Sequence, residues 1–76
     1  MNKIRRKSLT EIKDKIEDLK TELELLLDEE QEYLDNIPEN MQGGERYEKA
    51  EETVSALEDA VSSLEDAVDN IDTAIE

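Results

Sequence analysis

The 76-residue chain contains no cysteine and no histidine. Disulfides, thiolate chemistry and the usual zinc and haem ligands are therefore excluded. Phenylalanine and tryptophan are also absent, and no apolar run approaches the ~20 residues that a membrane helix requires. These absences predict a cytoplasmic protein without cofactor, bound metal or membrane contact.

Proline and glycine are scarce, and all three such residues lie in one segment near the middle of the chain. This segment, residues 38–44 (P-E-N-M-Q-G-G), is the only stretch with turn chemistry. Pro38 disfavours helical geometry at Ile37, so a helix should end there. The segment is predicted to be a hinge between two halves of one small domain, whose core would be marginal without a partner.

A seven-residue phrase is repeated three times over residues 54–74: V-S-A-L-E-D-A, V-S-S-L-E-D-A and V-D-N-I-D-T-A. Apolar residues at alternating spacings of three and four are the mark of a helix that packs along another helix. The repeat predicts a second helix over residues 45–75.

The first half of the chain begins with a basic stretch, residues 1–7, and continues with a second apolar periodicity. Ser8 followed by Glu11 forms a capping box, which predicts a first helix over residues 8–37. The predicted packing seam consists of Leu9, Ile12, Ile16, Leu19, Leu23, Leu26, Tyr33 and Ile37. Glu30 occupies a seam position, and there the apolar stripe moves one residue round the helix, to Leu27 and Leu34.

Two helices of similar length joined by a short hinge predict an all-α fold, an antiparallel two-helix hairpin of coiled-coil type. Folding about residue 42 places Lys20 beside Glu65 and Lys13 beside Asp72, and these opposite charges agree with the antiparallel direction. The basic stretch, residues 1–7, is expected to lie beside the acids at the end of the second helix.

Some apolar residues exceed what one partner helix can cover. Leu25, Leu27 and Leu34 widen the apolar face of the first helix, and Ala60 and Ala67 are small enough to admit another backbone. We therefore expect self-association, most simply two hairpins forming a four-helix bundle. Alternatively, Leu25 and a second leucine are simply exposed, which is common on protein surfaces. Two more residues complete this predicted packing set, Met41 and Tyr47; Met41 either caps a groove on a partner or covers the open end of its own core.

The charge is large and unevenly distributed. The chain has a net charge of −14, with seven Lys/Arg against four acids in residues 1–20 and two against nineteen in residues 21–76. Such a composition is also typical of disordered chains, although the strict apolar periodicity argues against disorder. Seven acids of the second helix form two columns, and we call this set the acidic face: Glu51, Glu52, Glu58, Asp59, Glu65, Asp66 and Asp72.

These features predict a non-enzymatic helical interaction protein. Catalysis is not expected, because a hairpin offers no cleft in which a group with a perturbed pKa could be held. The spacing of the acidic face, ~10.5 Å within each column, makes it a candidate nucleic-acid mimic that binds a protein partner with a basic surface. The alternative is a structural or adaptor hairpin that acts through apolar helix packing, with the acids only conferring solubility. Direct nucleic-acid binding is not expected, because the acids repel phosphates.

The hinge carries a resemblance to a known group. The stretch Y-L-D-N-I-P-E-N-M-Q-G-G-E-R-Y-E, residues 33–48, resembles the hinge of small acidic helical-hairpin proteins of Firmicutes-type bacteria and their phages or mobile elements. The resemblance extends over roughly residues 30–76, and Gly44 stands where that group is expected to have serine. It implies a hairpin fold and a phage or mobile-element context, with the host cytoplasm as location if the protein is phage-encoded. It implies no activity.

Overall fold

The protein is an antiparallel hairpin of two long α-helices, as a computed structural model that describes all 76 residues shows. Helix α1 comprises Lys3–Asp35 and helix α2 comprises Glu45–Ile75, with one short 3-10 turn, Glu39–Met41, between them. The molecule is a rod measuring 59 × 15 × 13 Å. The predicted all-α hairpin is confirmed, and α2 has the predicted bounds.

Helix α1 begins earlier than the sequence predicts. Its N-cap is Asn2, whose side-chain oxygen accepts a hydrogen bond of 2.8 Å from the backbone N–H of Arg5. Asparagine is as good an N-cap as serine, and Lys and Arg are good helix formers. The basic stretch, residues 1–7, is therefore mostly helical, and Ser8 lies inside the helix instead of capping it.

The hinge is built without unusual backbone geometry. Helix α1 ends at Asp35 rather than at the predicted residue 37, because Pro38 keeps the residue before it out of helical conformation. Ile37 leaves the helix but is buried at the closed end of the hairpin. Gly44 is the N-cap of α2 in extended conformation, with no side-chain hydrogen bond, and neither glycine has a positive φ.

The core is small. Only Ile37, Ala50, Val54 and Val61 are buried, and three of these four lie on α2. The other residues of the interface between the helices are half-buried, so the packed interior is a thin seam and not a closed core. A seam of this kind is expected for a two-helix rod of this size.

The part of α1 that faces α2 differs from the predicted seam. Leu9, Ile16 and Leu23 are half-buried as predicted. The neighbouring column at the seam, however, is Lys13, Lys20, Leu27 and Leu34, which are all half-buried. The predicted seam residues Ile12, Leu19, Leu26 and Tyr33 are exposed instead, so that part of the prediction is wrong. Helix α1 has apolar side chains on both sides of its central column, and a single partner helix covers only one side.

The start of α1 projects beyond the end of α2. Lys13 pairs with Asp72 and Lys20 with Glu65, so each step of seven residues along α1 is matched by seven residues back along α2. By this register Leu9 is level with Glu76, and Lys3–Ser8 have no residue of α2 beside them. The predicted pairing of residues 1–7 with the terminal acids is accordingly not formed, since the only two ion pairs are those of Lys13 and Lys20.

Candidate interaction surfaces

One exposed row of apolar side chains runs along α1, and we call it the apolar column: Ile12, Leu19, Leu26 and Tyr33. Their side chains are 47%, 58%, 54% and 40% exposed, respectively. Residues seven apart lie on nearly the same side of a helix, so the four form a row about 31 Å long. Single exposed leucines are ordinary on a protein surface, but a contiguous row at helical spacing is typical of an interaction site.

The residues predicted for packing or oligomer contacts differ in how exposed they are. Five of them are half-buried within the single hairpin: Leu27, Leu34, Tyr47, Ala60 and Ala67. Ala60 and Ala67 admit α1 of the same chain, so they are not open to the backbone of a second copy. Leu25 and Met41 are exposed. Leu25 lies about 100° around α1 from its neighbour Leu26, so it is not a member of the apolar column.

The acidic face is exposed at all seven positions. Glu51, Glu58, Glu65 and Asp72 run along the edge of the seam, whereas Glu52, Asp59 and Asp66 lie about 100° further round α2. Two of the seven are neutralised within the hairpin, because Glu65 and Asp72 pair with lysines of α1. The other five make no ion pair within the chain.

The two ion pairs lie across the half of the rod that contains the chain termini. Lys13 Nζ donates a hydrogen bond of 2.8 Å to Asp72 Oδ1, and Lys20 Nζ lies 3.5 Å from Glu65 Oε1. The hydrogen bond from Lys13 to Asp72, with the attraction between their charges, raises the pKa of Lys13 above 10.5. A raised lysine pKa means that this stabilisation is complete below pH 10.5 and is lost only as the pH rises through the raised value.

Folding concentrates the negative charge at the hinge end of the rod. The level of the Lys20–Glu65 pair divides the molecule into two halves. Residues 21–64, the hinge half, carry fourteen acids and two bases, a net charge of −12. Residues 1–20 and 65–76 form the other half and carry nine acids and seven bases, a net charge of −2. The rod therefore has one strongly acidic end and one nearly neutral end.

The hinge end also has an apolar cavity of about 210 Å³. Arg46 donates a hydrogen bond to the hydroxyl of Tyr33, and its guanidinium lies 5.6 Å from the centre of the tyrosine ring. This contact combines a hydrogen bond with a cation–π interaction and joins the start of α2 to the end of α1. The cavity is lined by Tyr33, Asn36, Ile37, Pro38, Met41 and Arg46.

The acids do not converge on a common point. No group of three or more acidic side chains is close enough to hold a metal ion. Neither helix contains a stretch that is both long and apolar enough to cross a membrane. Comparisons of the chain with protein-family models, with curated protein sequences and with solved structures give no match.

Reversing the Lys20–Glu65 pair tests whether it specifies the pairing of the helices. Lys20→Glu removes the pair and places like charges together, which should cost about 1 kcal/mol and lower the Tm by about 4–8 °C. Adding Glu65→Lys should restore most of the loss, since the pair re-forms with opposite polarity. Thermal unfolding followed by circular dichroism measures both effects. The control is Lys15→Glu, which makes the same change of charge at an exposed lysine without an ion pair. A double variant no more stable than Lys20→Glu alone would show that the pair contributes nothing.

Proposed function

We propose that this protein is a non-enzymatic helical interaction module that binds a helical protein surface through the apolar column. The exposure of this column carries the proposal. Its four residues have the spacing and length of a helix-packing seam, yet α2 lies on the other side of the central column of α1 and meets the apolar column only where Arg46 contacts Tyr33. Covering such a row removes apolar surface from water, which is the main driving force of protein association.

The acidic face supports a second candidate function, that of a nucleic-acid mimic. Five of its carboxylates are exposed and unpaired, and four of these, Glu51, Glu52, Glu58 and Asp59, lie in the hinge half with its net charge of −12. Acids in each column are separated by ~10.5 Å on a straight helix. Such an array suits the Arg and Lys clusters that bind phosphates. The partner would be a basic, nucleic-acid-binding protein, and the resemblance of the hinge suggests a bacterial host or defence protein as the target.

A pull-down from nuclease-treated bacterial lysate, washed with rising NaCl, separates the two functions. Binding through the apolar column should persist at high salt, because apolar contacts are not screened. Leu19→Gln with Leu26→Gln should abolish it, and both positions are exposed, so the hairpin should remain folded. Retention of bound proteins is the measurement, and circular dichroism verifies folding.

The acidic-face variant is the corresponding test of the second candidate. Four amide substitutions, Glu51→Gln, Glu52→Gln, Glu58→Gln and Asp59→Asn, should release a basic partner that already dissociates at moderate salt. The matched control removes four exposed acids of α1: Glu11→Gln, Asp14→Asn, Glu17→Gln and Asp18→Asn. If every bound protein dissociates at moderate salt, none depends on Leu19 and Leu26, and the chain does not associate with itself through these residues, the apolar-column function is refuted and the mimic is favoured.

A further inference from the structure

We propose that the occupant of the apolar column is a second copy of this chain, bound antiparallel about a two-fold axis that passes α1 midway between Leu19 and Leu26. This inference rests on the proposed function and adds the identity, direction and register of the partner. In the resulting assembly of four helices the two α1 helices pack against each other through the apolar column, and each α2 remains packed on the other flank of the central column of its own α1.

The first support is that the apolar column matches the same column of a second copy that runs in the opposite direction. Its four members are separated by equal steps of seven residues. An antiparallel second copy therefore places Ile12 opposite Tyr33 of the second copy and Leu19 opposite Leu26 of the second copy, and the symmetry repeats both contacts. A two-fold contact requires one patch that fits itself in this way. A register displaced by one step would leave a column residue at each end uncovered.

The second support is the charge of the two halves of the rod. An antiparallel pair places each hinge half, with a net charge of −12, beside the other copy's nearly neutral half, with a net charge of −2. A parallel pair would place the two hinge halves side by side. Since Coulomb energy scales with the product of the charges, the parallel arrangement is much more strongly repulsive. The apolar column permits association, and the charge distribution selects its direction.

The third support is the position of the remaining exposed apolar residues. The two-fold axis between Leu19 and Leu26 brings the projecting start of α1 level with the hinge of the second copy, although Ile4 lies about 80° around α1 from Ile12. Met1, Ile4 and Met41 are all exposed in the single hairpin. The apolar cavity at the hinge lies at this level. The antiparallel arrangement thus places the projecting turns of α1 at the level of the hinge cavity, whereas Ile4 and Leu25, which lie on a neighbouring side of α1, are not covered by the column itself.

Cysteine cross-linking tests the direction and the register, because the chain has no cysteine of its own. Leu19→Cys and Leu26→Cys are prepared separately, one with ¹⁵N label, then mixed and equilibrated in a glutathione buffer. Mass spectrometry should find the hybrid disulfide far in excess of either homodimeric disulfide, because residues 19 and 26 face each other only in the antiparallel pair. The control is Asp14→Cys, which lies away from the apolar column and should give no preferred product with either variant.

Sedimentation equilibrium of the unmodified chain provides the second measurement. We expect a dimer at micromolar to millimolar concentration and a folded monomer for Leu19→Gln with Leu26→Gln. Homodimeric disulfides in excess of the hybrid would overturn the antiparallel arrangement, and a wild-type monomer throughout this range would overturn the second copy as occupant. If the wild type is monomeric while a lysate protein binds at high salt through Leu19 and Leu26, the inference fails and the proposed function stands. If neither form of binding occurs, both fail.

Discussion

Val54→Asp should abolish folding of the hairpin at room temperature. Val54 is one of only four buried residues, and it lies on the part of α2 where the seam is most fully covered. The substitution removes an apolar contribution of about 1.5–3 kcal/mol. It also places a carboxyl group at a buried position that has no ion pair. This carboxyl group must either lose its hydration as a charged group or take up a proton. A seam this thin has little stability in reserve, because even complete domains are stable by only about 5–15 kcal/mol.

The control for this experiment is Ala56→Asp. It adds the same charge two residues further along α2, at an exposed position, and creates two like-charge pairs three or four residues apart, as Val54→Asp does. The expected result is therefore loss of most helical signal at 25 °C for Val54→Asp and its retention for Ala56→Asp. Equal unfolding by both variants would mean that charge and not burial limits stability, and the buried seam would then not be the source of the fold.

Raising the salt concentration should stabilise the protein. Helix α2 contains six pairs of acids spaced three or four residues apart: 45/48, 48/51, 48/52, 65/69, 66/69 and 69/72. Each such like-charge pair costs an isolated helix about 0.2–0.5 kcal/mol, so the helix bears a total of about 1–3 kcal/mol. The screening length falls from about 30 Å at 0.01 M to about 8 Å at 0.15 M salt, which relieves much of this repulsion. The Tm should therefore rise by about 10 °C over that range, given about 4–8 °C per kcal/mol.

The same screening weakens the ion pairs of Lys13 and Lys20, so the sign of the salt effect measures the balance between attraction and repulsion. Thermal melts in NaCl, repeated with Asp69→Asn, give the comparison, because this change removes the pairs 65/69, 66/69 and 69/72 and leaves both ion pairs in place. The variant should show a smaller salt dependence, because it retains only three of the six like-charge pairs. A Tm that falls as the salt concentration rises would show that the attraction within the ion pairs outweighs the repulsion between the acids of α2.

The sequence predicts the architecture well because its signals are local or periodic. The hinge has the only proline and glycines, the bounds of α2 follow from its repeat, and the two ion pairs follow from counting back from the hinge. The start of α1 is predicted incorrectly, because Asn2 and Ser8 are both competent caps and the intervening residues favour a helix. Local signals do not choose between two acceptable caps when the chain between them is helical in either case.

Two signals in the sequence disagree about which side of α1 faces α2: the apolar periodicity favours the apolar column, whereas the predicted ion pairs favour the side that carries Lys13 and Lys20. The apolar column and the column of Lys13, Lys20, Leu27 and Leu34 flank the same central residues of α1. The column with the two lysines is less hydrophobic than the apolar column. It nevertheless faces α2, because there both lysines can pair with Glu65 and Asp72. The sequence therefore predicts a contact surface near Leu27 and Leu34, whereas the uncovered row lies on the other side of the central column of α1.

Because the first turns of α1 project beyond α2, the overlap of the two helices can change by one heptad when one heptad is added to or removed from α2. Arg6 occupies the same column as Lys13 and Lys20, and its counterpart on α2 would lie three residues beyond Glu76. One more copy of the repeated phrase after Ala74 would extend α2 by ~10.5 Å, cover the projecting turns and offer Arg6 an acid in register. Gain or loss of a whole repeat at this end thus changes how far the two helices overlap while leaving the hinge intact. Duplication or deletion of a 21-nucleotide unit in the coding sequence would therefore lengthen or shorten this overlap by one heptad.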